Sequence, residues 1–193
     1  MWRPMVKVDA LSYATRLLHP RNVVIVTCAG MDGRPNAITL AWVTPTSFNP
    51  PMVALSIAPQ RYSHRLIEET GEFVVNVPTV ELMDQAYLIG SVSGRDTDKL
   101  KLTGLTLLPA KTVKPPIVKE CIAHLECKTV NKVVTGDHDL FIGVVLAAYV
   151  DEDVFKDRLL NPTKAKTLLH YGLDAFTTIS GEVLKPRRRS KWF

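Results

Sequence analysis

Residues 36–78 read NAITLAWVTPTSFNPPMVALSIAPQRYSHRLIEETGEFVVNVP, and the order of elements in this stretch decides the fold. The run NAITLAWVT (36–44) predicts a strand, with Ala37, Thr39 and Ala41 on one face and Ile38, Leu40 and Trp42 on the other. Phe48, Asn49, Pro50 and Pro51 form a turn, because neither proline can donate to a sheet ladder. MVALSIA (52–58) predicts the next strand, stopped by Pro59. Ser63 is placed to cap a short helix over 64–70 that Gly71 terminates. FVVNV (73–77) is a further strand, closed by Pro78.

Upstream, NVVIVTCA (22–29) is rich in β-branched residues, and Asp32-Gly33 supplies a tight hairpin turn into 36–44. Leu11, Ala14, Leu17 and Leu18 fall at helical spacing behind Asp9 as N-cap, and His19-Pro20 ends that helix. Downstream, 80–89 predicts a helix with Leu82, Ala86 and Ile89 on one stripe, and 96–102 a charged helix or loop. Residues 121–135 and 140–150 predict two long strands joined by the four-residue loop Gly136-Asp137-His138-Asp139. Residues 161–176 read as loop and helix. At least six strands in antiparallel hairpins, interrupted by short helices, predict a mainly β architecture, a Greek-key-like barrel with peripheral helices. GxGxxG and GxxxxGK[ST] are absent, which removes dinucleotide-fold and P-loop readings.

With 193 residues, 46% hydrophobic and 22% charged, the chain is sized and composed for one globular domain, assigned here to 1–184. Five of its 24 basic residues lie in KPRRRSKWF (185–193), which has no acid. The remaining basic residues are matched by the 19 acidic ones, so the net charge of +5 belongs to this C-terminal tail. A nucleic-acid-associated protein acting through the tail is one reading of it, and a solvated or subunit-clasping terminus the favoured one. No apolar run suits a membrane span, the N-terminus does not read as a signal peptide, and the expected location is the cytoplasm. Cys28, Cys121 and Cys127 lack metal or disulfide spacing; Cys121 and Cys127 on one strand would stand roughly 20 Å apart. All three are expected to be small buried hydrophobes.

Two places carry chemistry. Small residues along one face of 36–44 let a flat heteroaromatic ring approach the backbone, whose N–H and C=O groups can meet its edge. Arg61, Tyr62 and Ser63 put a cation, a hydroxyl and free helix N–H groups around one point, a natural phosphate site. His138, between Asp137 and Asp139, is the candidate imidazole. With no nucleophile elbow, no HExxH and no clustered carboxylates, any catalysis must come from a cofactor with its own reactivity.

Taken in order, NAITLAW, PPMVALSIAPQRYSH, LIEETGEFVVNVP and GDHDLFIGVV resemble the flavin reductase-like, FMN-binding split-barrel family, and within it the flavoredoxins. The resemblance covers roughly residues 10–150. It implies a homodimeric, FMN-dependent reductase that passes electrons from NADH, NADPH or a redox protein through bound FMN to an acceptor. It further implies FMN contacts from Asn36, from Thr39, Leu40, Ala41, Trp42, Val43 and Thr44, and from Ser56 and Ile57, with the phosphate at Arg61, Tyr62 and Ser63. His138 matches the family's GDH motif at the nicotinamide position. Val144 stands where the two-component reductases have glutamate, which favours a tightly held FMN over an exchanging one. The other reading of the same barrel is a non-enzymatic flavin- or haem-binding protein, for storage or sensing.

Overall fold

The computed structural model describes residues 6–186. Its centre is a seven-stranded antiparallel sheet of β1 (Val24–Ala29), β2 (Pro35–Leu40), β3 (Val43–Phe48), β4 (Pro51–Ile57), β5 (Glu72–Val77), β6 (Ala123–Thr135) and β7 (His138–Val150). The order across the sheet is β2-β1-β5-β6-β7-β4-β3. Its two outermost strands, β2 and β3, are consecutive in sequence and joined only by Ala41 and Trp42, so the sheet must curl until its edges meet. No ladder joins β2 to β3, and a bond from the Ser56 N–H to the Trp42 carbonyl at 3.0 Å carries the β3–β4 pairing one step into the corner. The result is the expected split barrel.

Period-two patterning fills it. Val24, Val26, Ile38, Leu40, Leu55, Ile57, Phe73, Val75 and Phe141 point inward, and Leu66 and Ile67 of α1 (Tyr62–Thr70) plug one end. A second core forms outside the barrel, where Ile25 and Ala37 meet Ala86 and Ile89 of α2 (Met83–Ser91) and Leu100 of α3 (Lys99–Thr103). β1 is therefore buried on both faces, which explains its unbroken β-branched sequence. Gly71 ends α1 at φ +70°. All three cysteines are free and buried.

Several expectations change. The strand expected over 36–44 is broken at Ala41–Trp42, because barrel closure requires a corner there. Trp42 does not fill the interior but stands partly exposed at that corner. Arg61, not Ser63, holds the N-cap position of α1, with no side-chain cap bond; the buried Ser63 hydroxyl accepts instead from the Asn36 amide at 2.7 Å. The loop expected over 136–139 is a tight turn at Gly136-Asp137, so His138 and Asp139 already belong to β7. Residues 161–176 contain no helix; β8 (Leu168–Gly172) and β9 (Ala175–Thr178) form a hairpin that pairs with Arg21–Asn22. Leu11–Leu18 is a 3-10 helix with every residue exposed, and Asp9 accepts from the Leu11 N–H at 3.1 Å from one position before the cap. Of the basic tail, Lys185 and Pro186 are described; 187–193 lie outside the described residues.

β7 crosses the core at Gly143, beside an irregularity in its pairing with β6. A β-carbon there would stand 2.5 Å from Cζ of the fully buried Phe73. Gly143→Ala must displace that ring, and is expected to cost about 1–3 kcal/mol by denaturant unfolding. An unchanged midpoint would show that Phe73 has room to move.

Candidate functional site

A cavity of about 410 Å³ opens at the barrel corner. Its floor is the end of β2 with Ala41 and Trp42, and one wall is Ser56, Ile57, Ala58 and Arg61 at the end of β4. α2 contributes Ala86, Tyr87, Gly90 and Ser91, the start of β7 contributes His138, and the β8–β9 hairpin contributes His170, Leu173 and Phe176. The corner explains the floor. Ala41 and Trp42 lie between strands, and among the described residues only the Trp42 carbonyl finds a backbone partner. The N–H and C=O of Ala41 and the N–H of Trp42 remain for a ligand. α2 lies close over this floor because its contact residues are small: a β-carbon on Gly90 would stand 3.4 Å from that of Thr39, whose hydroxyl donates to the Ala86 carbonyl at 2.6 Å.

The mouth is aromatic and basic. The His138 ring stacks on Trp42 at 4.8 Å and 30°, and the Arg21 guanidinium lies 5.3 Å from the Trp42 ring. His138 Nδ1 is 2.8 Å from the Asp137 carboxylate, and that hydrogen bond holds the Asp137 carboxyl below its ordinary value. Among the described residues, one guanidinium and two imidazoles line the cavity, and no carboxylate does.

Of the residues proposed from sequence, Thr39, Leu40, Ala41, Trp42, Ser56, Ile57, Arg61 and His138 come together on this cavity. Val43 and Thr44 continue into β3 away from it, and Ser63 is buried beneath. Asn36 and Tyr62 face a second, much smaller cavity of about 10 Å³, with Gly94 and Lys99. Lys99, in the charged segment read as a marginal helix, is buried with its ammonium donating to the carbonyls of Ile89 and Val92 at 2.8 and 3.0 Å, closing the end of α2. Burial lowers this ammonium to about 8, and the nearby Arg61 guanidinium adds to the fall. Sequence reading also missed the α2 and hairpin walls. Their signals were the small pair Ala86 and Gly90 at helical spacing and the ring-bearing His170 and Phe176.

Residues 16–179 match the flavin reductase like domain, and the chain belongs to that family. An uncharacterized protein of Archaeoglobus fulgidus is 41% identical over 170 residues, spanning 88% of this chain and 94% of its own. Among solved structures, flavoredoxin of Desulfovibrio vulgaris is 26% identical with a TM-score of 0.81, over 98% of this chain and 99% of that one. An FMN-binding protein from Thermus thermophilus with bound 1-cyclohex-2-enone is 25% identical with a TM-score of 0.81, over 96% and 99%. No helix among the described residues is long and apolar enough to cross a membrane.

Lys99 also yields a pH signature. With a folded value near 8 and an ordinary value of 10.5, it is charged in both states below that window and neutral in both above it. The cost of burying its charge is therefore present at neutral pH and is relieved as pH rises through the window. Urea unfolding of wild type and Lys99→Met is expected to show wild type gaining on the variant from pH about 7 to about 10. A constant difference would place the Lys99 titration elsewhere.

Proposed function

We propose that the chain is an FMN-dependent reductase of the flavoredoxin type, holding FMN in the corner cavity and passing electrons from a reduced nicotinamide or redox protein to an acceptor. The observation that carries this reading is the pairing, in one cavity, of free peptide groups at Ala41 and Trp42 with Arg61 and no carboxylate. The donor set fits the group. A planar ring edge that both donates and accepts finds free N–H and C=O groups at the corner, and a phosphate finds a guanidinium, with the Ser91 hydroxyl on the same cavity. Bound flavin supplies the hydride and electron chemistry. The protein binds and orients it: Arg61 takes the phosphate, and α2 with the β8–β9 hairpin excludes water from the ring. The Trp42–His138 stack stands at the mouth where a nicotinamide would lie, with Asp137 orienting the imidazole through Nδ1.

A second copy of the chain belongs to the same proposal, as the cover for the exposed Leu11, Leu17 and Leu18. Sedimentation is expected to give the mass of two chains; a single-chain mass at micromolar concentration would remove the partner.

Purified protein is expected to be yellow, with an oxidised-flavin spectrum that bleaches anaerobically with NADH, NADPH or a reduced redox protein. A flavin that stays oxidised with all three donors would leave a binding protein instead. Arg61→Ala is expected to weaken FMN by about 1.5–3 kcal/mol while sparing riboflavin. His138→Ala is expected to slow reduction by nicotinamide at unchanged FMN affinity. Equal losses for the two ligands, or unchanged kinetics, would release the respective residue from its role.

A further inference from the structure

One buried hydrogen-bonded pair stands just behind the cavity and takes no part in lining it. His64 on α1 and Asp139 on β7 are each 5% exposed, and His64 Nε2 lies 2.8 Å from the Asp139 carboxylate. The imidazole edge packs on Phe141 at 4.9 Å, inside the barrel core. The other charged groups facing the pair are Glu68, 3.9 Å from His64 Nδ1 on the same helix, and Lys132 of β6, 3.3 Å from Asp139 and also bonded to Glu68. His64 lies one helical turn after Arg61, the cap residue of α1 that lines the cavity. Asp139 directly follows His138 at the cavity mouth, with its side chain alternating to the opposite face of β7. This hydrogen bond directly joins the element that carries Arg61 to the strand that carries His138, and Lys132 bridges Glu68 to Asp139 beside it.

Energetics decide what such a bond is for. A buried polar pair adds little net stability over well-packed apolar groups of the same size, because desolvation of both partners offsets their attraction. Its directionality is what an apolar contact lacks. A shift of α1 by one residue, about 1.5 Å along its axis with a turn of its face, would break the bond, while Leu66 and Ile67 could still find apolar neighbours. We infer that the His64–Asp139 pair is a positioning contact that holds Arg61 in register with the His138 end of the cavity, and so sets how well the site distinguishes a phosphorylated ligand from its dephosphorylated form. The inference rests on the proposal that Arg61 takes the phosphate.

The test measures FMN and riboflavin affinity by fluorescence titration of the flavin-free full chain, together with thermal unfolding. The double replacement His64→Phe with Asp139→Leu exchanges both partners for apolar groups of similar shape, a change that can be close to neutral for stability. It is expected to fold and to lose about tenfold in the ratio of FMN to riboflavin affinity. His64→Gln, whose amide nitrogen reaches the place of Nε2, is expected to keep the ratio within about threefold. Where the double replacement does not fold, His64→Asn, too short to reach Asp139, carries the same expected loss. In an Arg61→Ala background the replacement is expected to leave the ratio unchanged, since Arg61 is the group being positioned. A ratio untouched by the double replacement, or an equal loss with Arg61 already removed, overturns the inference while a selective Arg61→Ala keeps the phosphate reading. An Arg61→Ala that weakens both flavins equally removes that reading, and the inference with it.

Discussion

Everything in this molecule follows from a two-residue link. β2 and β3 are the outermost strands of the sheet, yet only Ala41 and Trp42 separate them, so seven strands must bend round until their edges meet. Here the link turns a corner instead of closing a hairpin, so no ladder joins β2 to β3, and the Ala41 peptide groups and the Trp42 N–H are left without backbone partners among the described residues. Such groups keep their hydrogen-bonding capacity for whatever occupies the corner. The fold thus places, at the point of its own closure, a polar backbone edge, and the cavity lies there.

The second layer turns that edge into a site. β1 is buried on both faces because α2 packs outside it, and the small Gly90 and Ala86 let α2 lie close over Thr39. The β8–β9 hairpin then adds His170, Leu173 and Phe176 from a remote part of the chain. Arg61 is delivered by the cap of α1, and His138 by the first residue of β7. Each wall is a different element, and none is a catalytic motif by itself. This is the arrangement expected of a protein whose chemistry resides in a bound ring, with the chain supplying orientation and exclusion of water.

Elements governed by short-range rules were legible in the sequence. Gly71 ends α1 because only a left-handed residue fits there, and 24–29 reads as a buried strand because β-branched residues suit a pleated surface covered on both sides. What was hidden depended on distant partners. Nothing local in NAITLAWVT marks a corner; the bend is demanded by where β4 and β7 lie. Ser63 has the chemistry of a cap, but Asn36, 27 residues earlier, engages its hydroxyl. His138 and Asp139 read as a loop because the glycine-led turn needs only two residues, and the strand begins sooner than four polar residues suggest. Eight of the named site residues did converge on one cavity; the order of motifs that carries the family resemblance names them, whereas alternation alone sets Leu40 and Trp42 on the face opposite Ala41. The α2 and hairpin walls could not be assigned to that cavity from spacing alone.

The three buried cysteines bear on what kind of redox protein this can be. Burial holds the Cys28 thiol up at about 11 and those of Cys121 and Cys127 at about 12. At neutral pH almost none is thiolate, the form that attacks disulfides and peroxides. The chain therefore keeps its own sulfur chemically silent, with no disulfide exchange or sulfenate formation to divert reducing equivalents. Whatever couple occupies the corner cavity works inside a scaffold whose buried thiols stay protonated at neutral pH and do not compete with it as nucleophiles.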